Sequence, residues 1–180
     1  MLNKKYWITL FMSFCVFFAQ AQVVKNTSYT TSSGEKILRL EMILPVDKKT
    51  AWEYFTKDQL LQKWIAPLVH IELKARGYIL TNYDKDKSLS DSSAIRLDII
   101  NYLTEELLTL KVDLNDNFPK SVQNEDANLQ ELIQFKEEGD GKTKIISSMI
   151  GWGKGTDWDK TYGFFVKGNI WTYEQLHKLF

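Results

Sequence analysis

TDWDKTYGFFVKGNIWTYEQLHKLF, residues 156–180, decides how the rest of the chain is read. At about 100° per residue, Trp158, Tyr162, Phe165, Tyr173, Leu176 and Leu179 share one face of a helix. Asn169 and Thr172 fall in the middle of that face, and uncharged polar groups set among aromatics need hydrogen-bond partners once they are covered. Thr156 followed three residues later by Asp159 has capping-box spacing and marks the start. Gly163 and Gly168 weaken the segment as an isolated helix, so packing against an apolar surface has to hold it.

The text upstream supplies that surface. Residues 36–44 alternate (Ile37, Leu38, Leu40, Met42, Leu44) and read as a strand ended by Pro45. Asp47 then serves as N-cap for a helix carrying Ala51, Trp52, Tyr54 and Phe55, and a second short helix over 58–65 is stopped by Pro67. No basic recognition face accompanies this pair, which argues against DNA binding. From there the pattern is one of strands at 68–75, 77–82, 94–103, 106–114, 129–137 and 142–152, with polar loops at 84–93 and 115–128. Asp140-Gly141 joins the last two as a hairpin. The predicted fold class is α+β: a largely antiparallel meander of about seven strands, in the order β-α-α-β6-α, with a long C-terminal helix packed on it.

The other end of the chain is organised for export. Lys4 and Lys5, an apolar run from Tyr6 to Phe18 and Ala19-Gln20-Ala21 are the charged, hydrophobic and small-residue parts of a secretory signal, with cleavage expected after Ala21. The apolar run is shorter than the roughly 20 residues a membrane span requires. Phe14 precedes the lone Cys15 where a lipidation signal wants a small residue, so a soluble periplasmic or secreted product is expected, with no stable membrane anchor. The remaining 159 residues suit one domain, 36–180, behind a polar leader, 22–35. They hold 21 basic and 23 acidic side chains and no cysteine. The net charge of −2 carries no footprint for nucleic acid, and neither disulfides nor thiolate metal sites are available.

Motif by motif, chemistry is sparse. His70 alternates with Glu72 and Lys74 on the solvent side of its strand, and His177 has no second ligand at metal spacing. Asn82, Asp84 and Asp86 lack the central glycine and closing glutamate of a calcium loop. No nucleophile elbow or phosphate loop is present. No cofactor, metal ligand or catalytic residue is therefore assigned.

Several segments together resemble the START and Bet v helix-grip superfamily (SRPBCC), and within it the branch named after the activator of heat shock protein 90 ATPase. They are LPVDKKTAWEYFT at 44–56 and LLQKWIAP at 60–67, then Arg76-Gly77-Tyr78, Gly141-Lys142-Thr143-Lys144-Ile145, Gly151-Trp152-Gly153, and Trp171-Thr172-Tyr173 with Leu176 and Leu179. The resemblance spans nearly all of 36–180. It implies a curved sheet gripping the last helix around a cavity, in a superfamily that includes lipid and hydrophobic-ligand binders, cyclase-like enzymes and the chaperone activator.

Combined with the strand alternation, this marks Leu97, Ile99, Leu110, Val112, Ile133, Phe135, Ile145, Ser147 and Met149 as the sheet side of that cavity, opposed by Tyr162, Phe165, Asn169, Thr172 and Tyr173. The same residues would also serve as plain core. A small apolar molecule is the expected partner, its polar end met by Asn169, Thr172 and Tyr173. An enzyme resembling the cyclases or hydrolases would need an inward acid or base, which Glu131 or His70 would supply only if buried with a shifted pKa. A protein-interaction domain resembling the chaperone activator is the third alternative, with its protein partner unknown.

Overall fold

The computed structural model describes residues 22–180. The expected export signal, with its cleavage position and Cys15, lies outside the described residues. Two dipeptides of the polar leader, β1 (Lys25–Asn26) and β2 (Tyr29–Thr30), pair with the outermost long strand, β3 (Lys36–Leu44). Alternation in β3 buries Leu38, Leu40, Met42 and Leu44 on one face.

Asp47 caps α1 (Lys48–Thr56), its carboxylate accepting from the Thr50 amide at 2.9 Å. The next helix, α2 (Asp58–Leu61), is shorter than the expected 58–65. The Lys63 and Trp64 amides reach back three residues, to the carbonyls of Leu60 and Leu61, and tighten the chain before Pro67. α1 and α2 cross the open side of the sheet, packing on β8 and β4, so that the chain re-enters at the opposite edge.

From that edge the sheet runs as a meander through β4 (Leu68–Glu72), β5 (Tyr78–Asn82), β6 (Ile95–Leu103), β7 (Leu107–Lys111), β8 (Gln130–Glu137) and β9 (Thr143–Ile150). β9 then pairs with β3. The sheet therefore has nine antiparallel strands in the order β1-β3-β9-β8-β7-β6-β5-β4, with β2 also on β3, rather than about seven in simple succession. The extra two come from the leader, where dipeptides too short to show alternation add to the open edge of β3. The α+β class and the curved antiparallel sheet under a terminal helix are as expected.

The stretch expected as a polar loop at 115–128 is folded back on the molecule by α3 (Lys120–Gln123) and a single 3-10 turn. Val122 is fully buried there, and Phe118 stacks on Phe165 with ring centroids 5.7 Å apart. Asp126 receives the Leu114 amide at 2.7 Å, which fixes where the segment leaves β7.

Gly151 ends β9 at φ +84, and a Cβ there would lie 1.8 Å from the Asn128 carbonyl oxygen, so the chain can turn toward the last helix only with glycine at this point. That helix, α4 (Thr156–His177), begins behind Gly155 without a side-chain cap, so the expected capping box does not form. Asp159 instead pairs with Lys36 on β3. Trp158, Tyr173 and Leu176 are buried and Tyr162 and Phe165 are half-buried, whereas Leu179 lies beyond the helix and is 38% exposed. No helix among the described residues is long and apolar enough to cross a membrane.

Candidate functional site

Beneath α4 the sheet is not filled throughout. A cavity of about 310 Å³ lies between the helix, the inner faces of β5 to β8, and the Phe55, Leu61 and Trp64 side chains of the α1–α2 crossing. This is the lower end of the range typical for small-molecule pockets, roughly 300–1,000 Å³. The helix leaves the space by presenting small groups to it: Gly168, Asn169 and Thr172 all line the cavity, and a Cβ at Gly168 would meet nothing within 4 Å.

Eight of the fourteen residues expected to line it do so. Leu97, Leu110, Val112 and Ile133 form part of the sheet wall, and Phe165, Asn169, Thr172 and Tyr173 part of the helix wall. The other six do not, and they correct the expected outline. Ile99 is buried away from the space. Phe135 packs edge-on against Trp52 and Phe55, with centroids 5.2 and 5.0 Å away. Ile145 and Ser147 border a crevice against Leu40 and Met42 that is too narrow for water, and Met149 is completely buried. Tyr162 packs on Trp152 at 5.0 Å. Of these six, Phe135 and Tyr162 are turned to aromatic neighbours instead of the open space.

Glu131, named from the sequence only as the acid an enzyme would need if it were buried, was not among the expected lining residues, yet it lines the cavity. It was in phase with Ile133 and Phe135, which was the available signal. In β8 it lies directly across from Met149 of β9, with Ser147 the next residue of the same face. Ser147 Oγ donates to Glu131 Oε1 at 2.6 Å and Tyr173 Oη donates to the same oxygen at 2.8 Å. Among the described residues no donor reaches Oε2. It is also not sealed off, since no fully buried side-chain oxygen among the described residues is left unpaired, and Glu131 lines the cavity. Glu131 is thus deep in the molecule and still has surface reachable from the cavity. Removal from bulk water raises its pKa, against the two hydrogen bonds that favour the charged form. Tyr173 is pushed well above its ordinary range, first by burial and then by the nearby carboxylate.

The remaining polar groups stand close by. Asn169 Nδ2 donates to the Met149 thioether at 3.3 Å, a weak partner for an amide, and Thr172 also lines the cavity. Because Met149 faces Glu131 across the strands and Tyr173 follows Asn169 by one helical turn, these groups gather at one wall. The mouth lies where Tyr83 and Phe164 are 58% and 60% exposed, beside Asp113, Asn115 and Asn117.

His70 sits outside this space, its Nδ1 2.9 Å from Asp58 on the surface. Asn82 holds the 84–93 loop through the Ser88 carbonyl at 2.9 Å and the Ser93 hydroxyl at 3.1 Å. Among the described residues no group of three His, Cys, Asp or Glu is placed to hold a metal.

No protein-family model matches the chain, and no curated protein matches it in sequence. Solved structures share its architecture. CalU16 from Micromonospora echinospora superposes with a TM-score of 0.61 at 12% identity over 88% of this chain and 84% of that one. A conserved protein of unknown function from Enterococcus faecalis gives 0.60 at 17% identity over 86% and 76%. The Aha1 dimer from Colwellia psychrerythraea gives 0.51 at 11% identity over 74% and 92%. The likeness is one of fold alone: an antiparallel sheet under a C-terminal helix.

Proposed function

We propose that this is an exported helix-grip protein that holds a small, largely apolar molecule between its sheet and α4. The observation that carries the reading is the distribution of polarity inside the cavity. Most of the lining is aliphatic or aromatic; Asp113, Asn115 and Asn117 stand at the mouth and Thr81 on β5, while Glu131, Asn169, Thr172 and Tyr173 are gathered where α4 meets β8. A space left over from imperfect packing has no reason to collect polar groups, because each costs free energy when removed from water. Export is supported by the order of charge, apolar run and small residues in 1–21.

Thermal unfolding of the purified protein against a panel of lipids and small hydrophobic compounds tests this. A true ligand at a hundredfold excess over its Kd stabilises the fold by about 2.7 kcal/mol. Failure of every member to raise the Tm, together with no effect of blocking the cavity, would remove the reading.

The inward position of Glu131 favours one alternative, an enzyme in which this carboxyl moves a proton. A buried carboxyl of raised pKa is suited to that role. Mass spectrometry of a bound compound after incubation separates the two readings: conversion by the wild type and none by Glu131→Gln supports catalysis, and an unchanged compound in both supports storage or transport.

A further inference from the structure

We propose that the polar end of this cavity is an acceptor site built around the free oxygen of Glu131, and that it takes the protonated amine of an otherwise apolar molecule. The proposal rests on the reading of the cavity as a ligand site and adds the chemistry of the ligand's head.

Three observations point the same way. The first is the division of labour between the two carboxyl oxygens. Ser147 and Tyr173 both donate to Oε1, which ties Glu131 to β9 and α4, while Oε2 is left open toward the cavity. Holding the helix to the sheet needs only a neutral acceptor such as a glutamine carbonyl, whereas a carboxyl with one free oxygen also offers a charge.

The second is the absence of compensation. Among the described residues no Lys, Arg or His lines the cavity, and the ionisable groups that do are Asp113, Glu131, Tyr83 and Tyr173. The interior can therefore be neutral or negative and never positive. A fatty-acid carboxylate or a phosphate would enter beside an acid with no cation to offset either charge. An ammonium would supply the counter-charge that Glu131 lacks, and its remaining donors meet a wall that also holds Asn169 and Thr172.

The third is the aromatic surround. Trp64 stacks on Tyr173 with centroids 6.0 Å apart, Phe55 lies 4.9 Å from Trp64, and all three line the cavity next to the Glu131–Tyr173 hydrogen bond. Aromatic rings beside a carboxylate stabilise organic cations and offer no such attraction to anions.

The test is isothermal titration calorimetry at neutral pH with three compounds of one tail and different heads: phenylbutylamine, phenylbutanol and phenylbutyrate. The expected order is amine, alcohol, carboxylate, with the amine at least about tenfold tighter than the alcohol, as for a charge-assisted pair. In Glu131→Gln the amine should fall to the level of the alcohol, with alcohol affinity unchanged within about twofold. The wild-type series stands by itself if that variant does not fold. Equal binding of amine and alcohol, or tighter binding of phenylbutyrate, overturns the head-group assignment and leaves the apolar cavity in place. Binding of none of the three overturns both.

Discussion

α4 covers two unlike floors. Toward β3 and β9 the floor is closed: Leu38, Leu40 and Met149 are essentially inaccessible, and the gap between Leu40 and Tyr173 admits no water. Over β5 to β8 the helix spans about 310 Å³. The two regions also treat a carboxylate in opposite ways. Glu41, on the outer face of β3, is paired with Arg39, lies 2.7 Å from Lys144 and accepts from Thr27 at 3.0 Å. Its pKa is lowered, chiefly by the hydrogen bond from Lys144. Glu131 faces inward with two neutral donors and no cation, and its pKa is raised by burial. Glu41 is complete as the protein stands, whereas Glu131 retains an unused acceptor toward an open space. That difference is what distinguishes a structural charge from a candidate binding group.

The strongest way to break the contrast is to truncate each floor. Leu40→Ala should cost about 3 kcal/mol in urea unfolding, because close packing cannot collapse around the lost methylenes. Leu97→Ala, on a half-buried wall that already borders space, should cost about 1 kcal/mol. Equal losses would mean that the hollow half is as tightly packed in solution as the other.

A smaller effect comes from the helix. Gly163→Ala and Gly168→Ala should each stabilise by about 1 kcal/mol, since neither Cβ meets an atom within 4 Å and alanine is the better helix former. Gly168→Leu sharpens the comparison, because its side chain enters the cavity. Tm shifts with phenylbutanol should vanish in this variant and persist in Gly163→Ala.

Smallest are the opposed pH dependences of the two carboxylates. Above the ordinary glutamate value of 4.5, the unfolded chain releases the Glu131 proton while the folded protein still retains it. Stability attributable to this residue therefore falls as pH rises from there through its folded pKa, and Glu131→Gln should remove that fall. Glu41 contributes in the other direction: its stabilisation is present above 4.5 and is lost as pH drops through its lowered folded pKa. Glu41→Gln should flatten the acid limb by less than about 1 kcal/mol, as befits a shallow ion-pair network. Unfolding curves at a series of pH values measure both, and slopes of the same sign would contradict the assignment.

Legibility differed by residue for a physical reason. Asp47 was readable as a cap because its partner, Thr50, is three residues away. The capping box at Thr156 does not form because the N-cap position is Gly155 and Thr156 is already helical, while Asp159 pairs with Lys36, 123 residues distant. The polar text of 115–128 concealed Phe118 and Val122, whose burial depends on where α4 lies. Within the candidate site, Leu97 and Ile99 have the same facing and similar chemistry, yet only Leu97 borders the cavity.

What the sequence determined alone was direction: which side of each strand and which side of the last helix turn inward, because periods of 2 and 3.6 are local properties of the chain. Those directions were enough for a helix packed on an antiparallel sheet, and they brought Asn169 and Thr172 to the inner face; the curved grip was what the family resemblance implied. Only the tertiary structure decided where inward-facing groups meet emptiness, and that Glu131 would be buried without a counter-charge. Volume and electrostatic environment are sums over neighbours far apart in sequence, and no local pattern contains them.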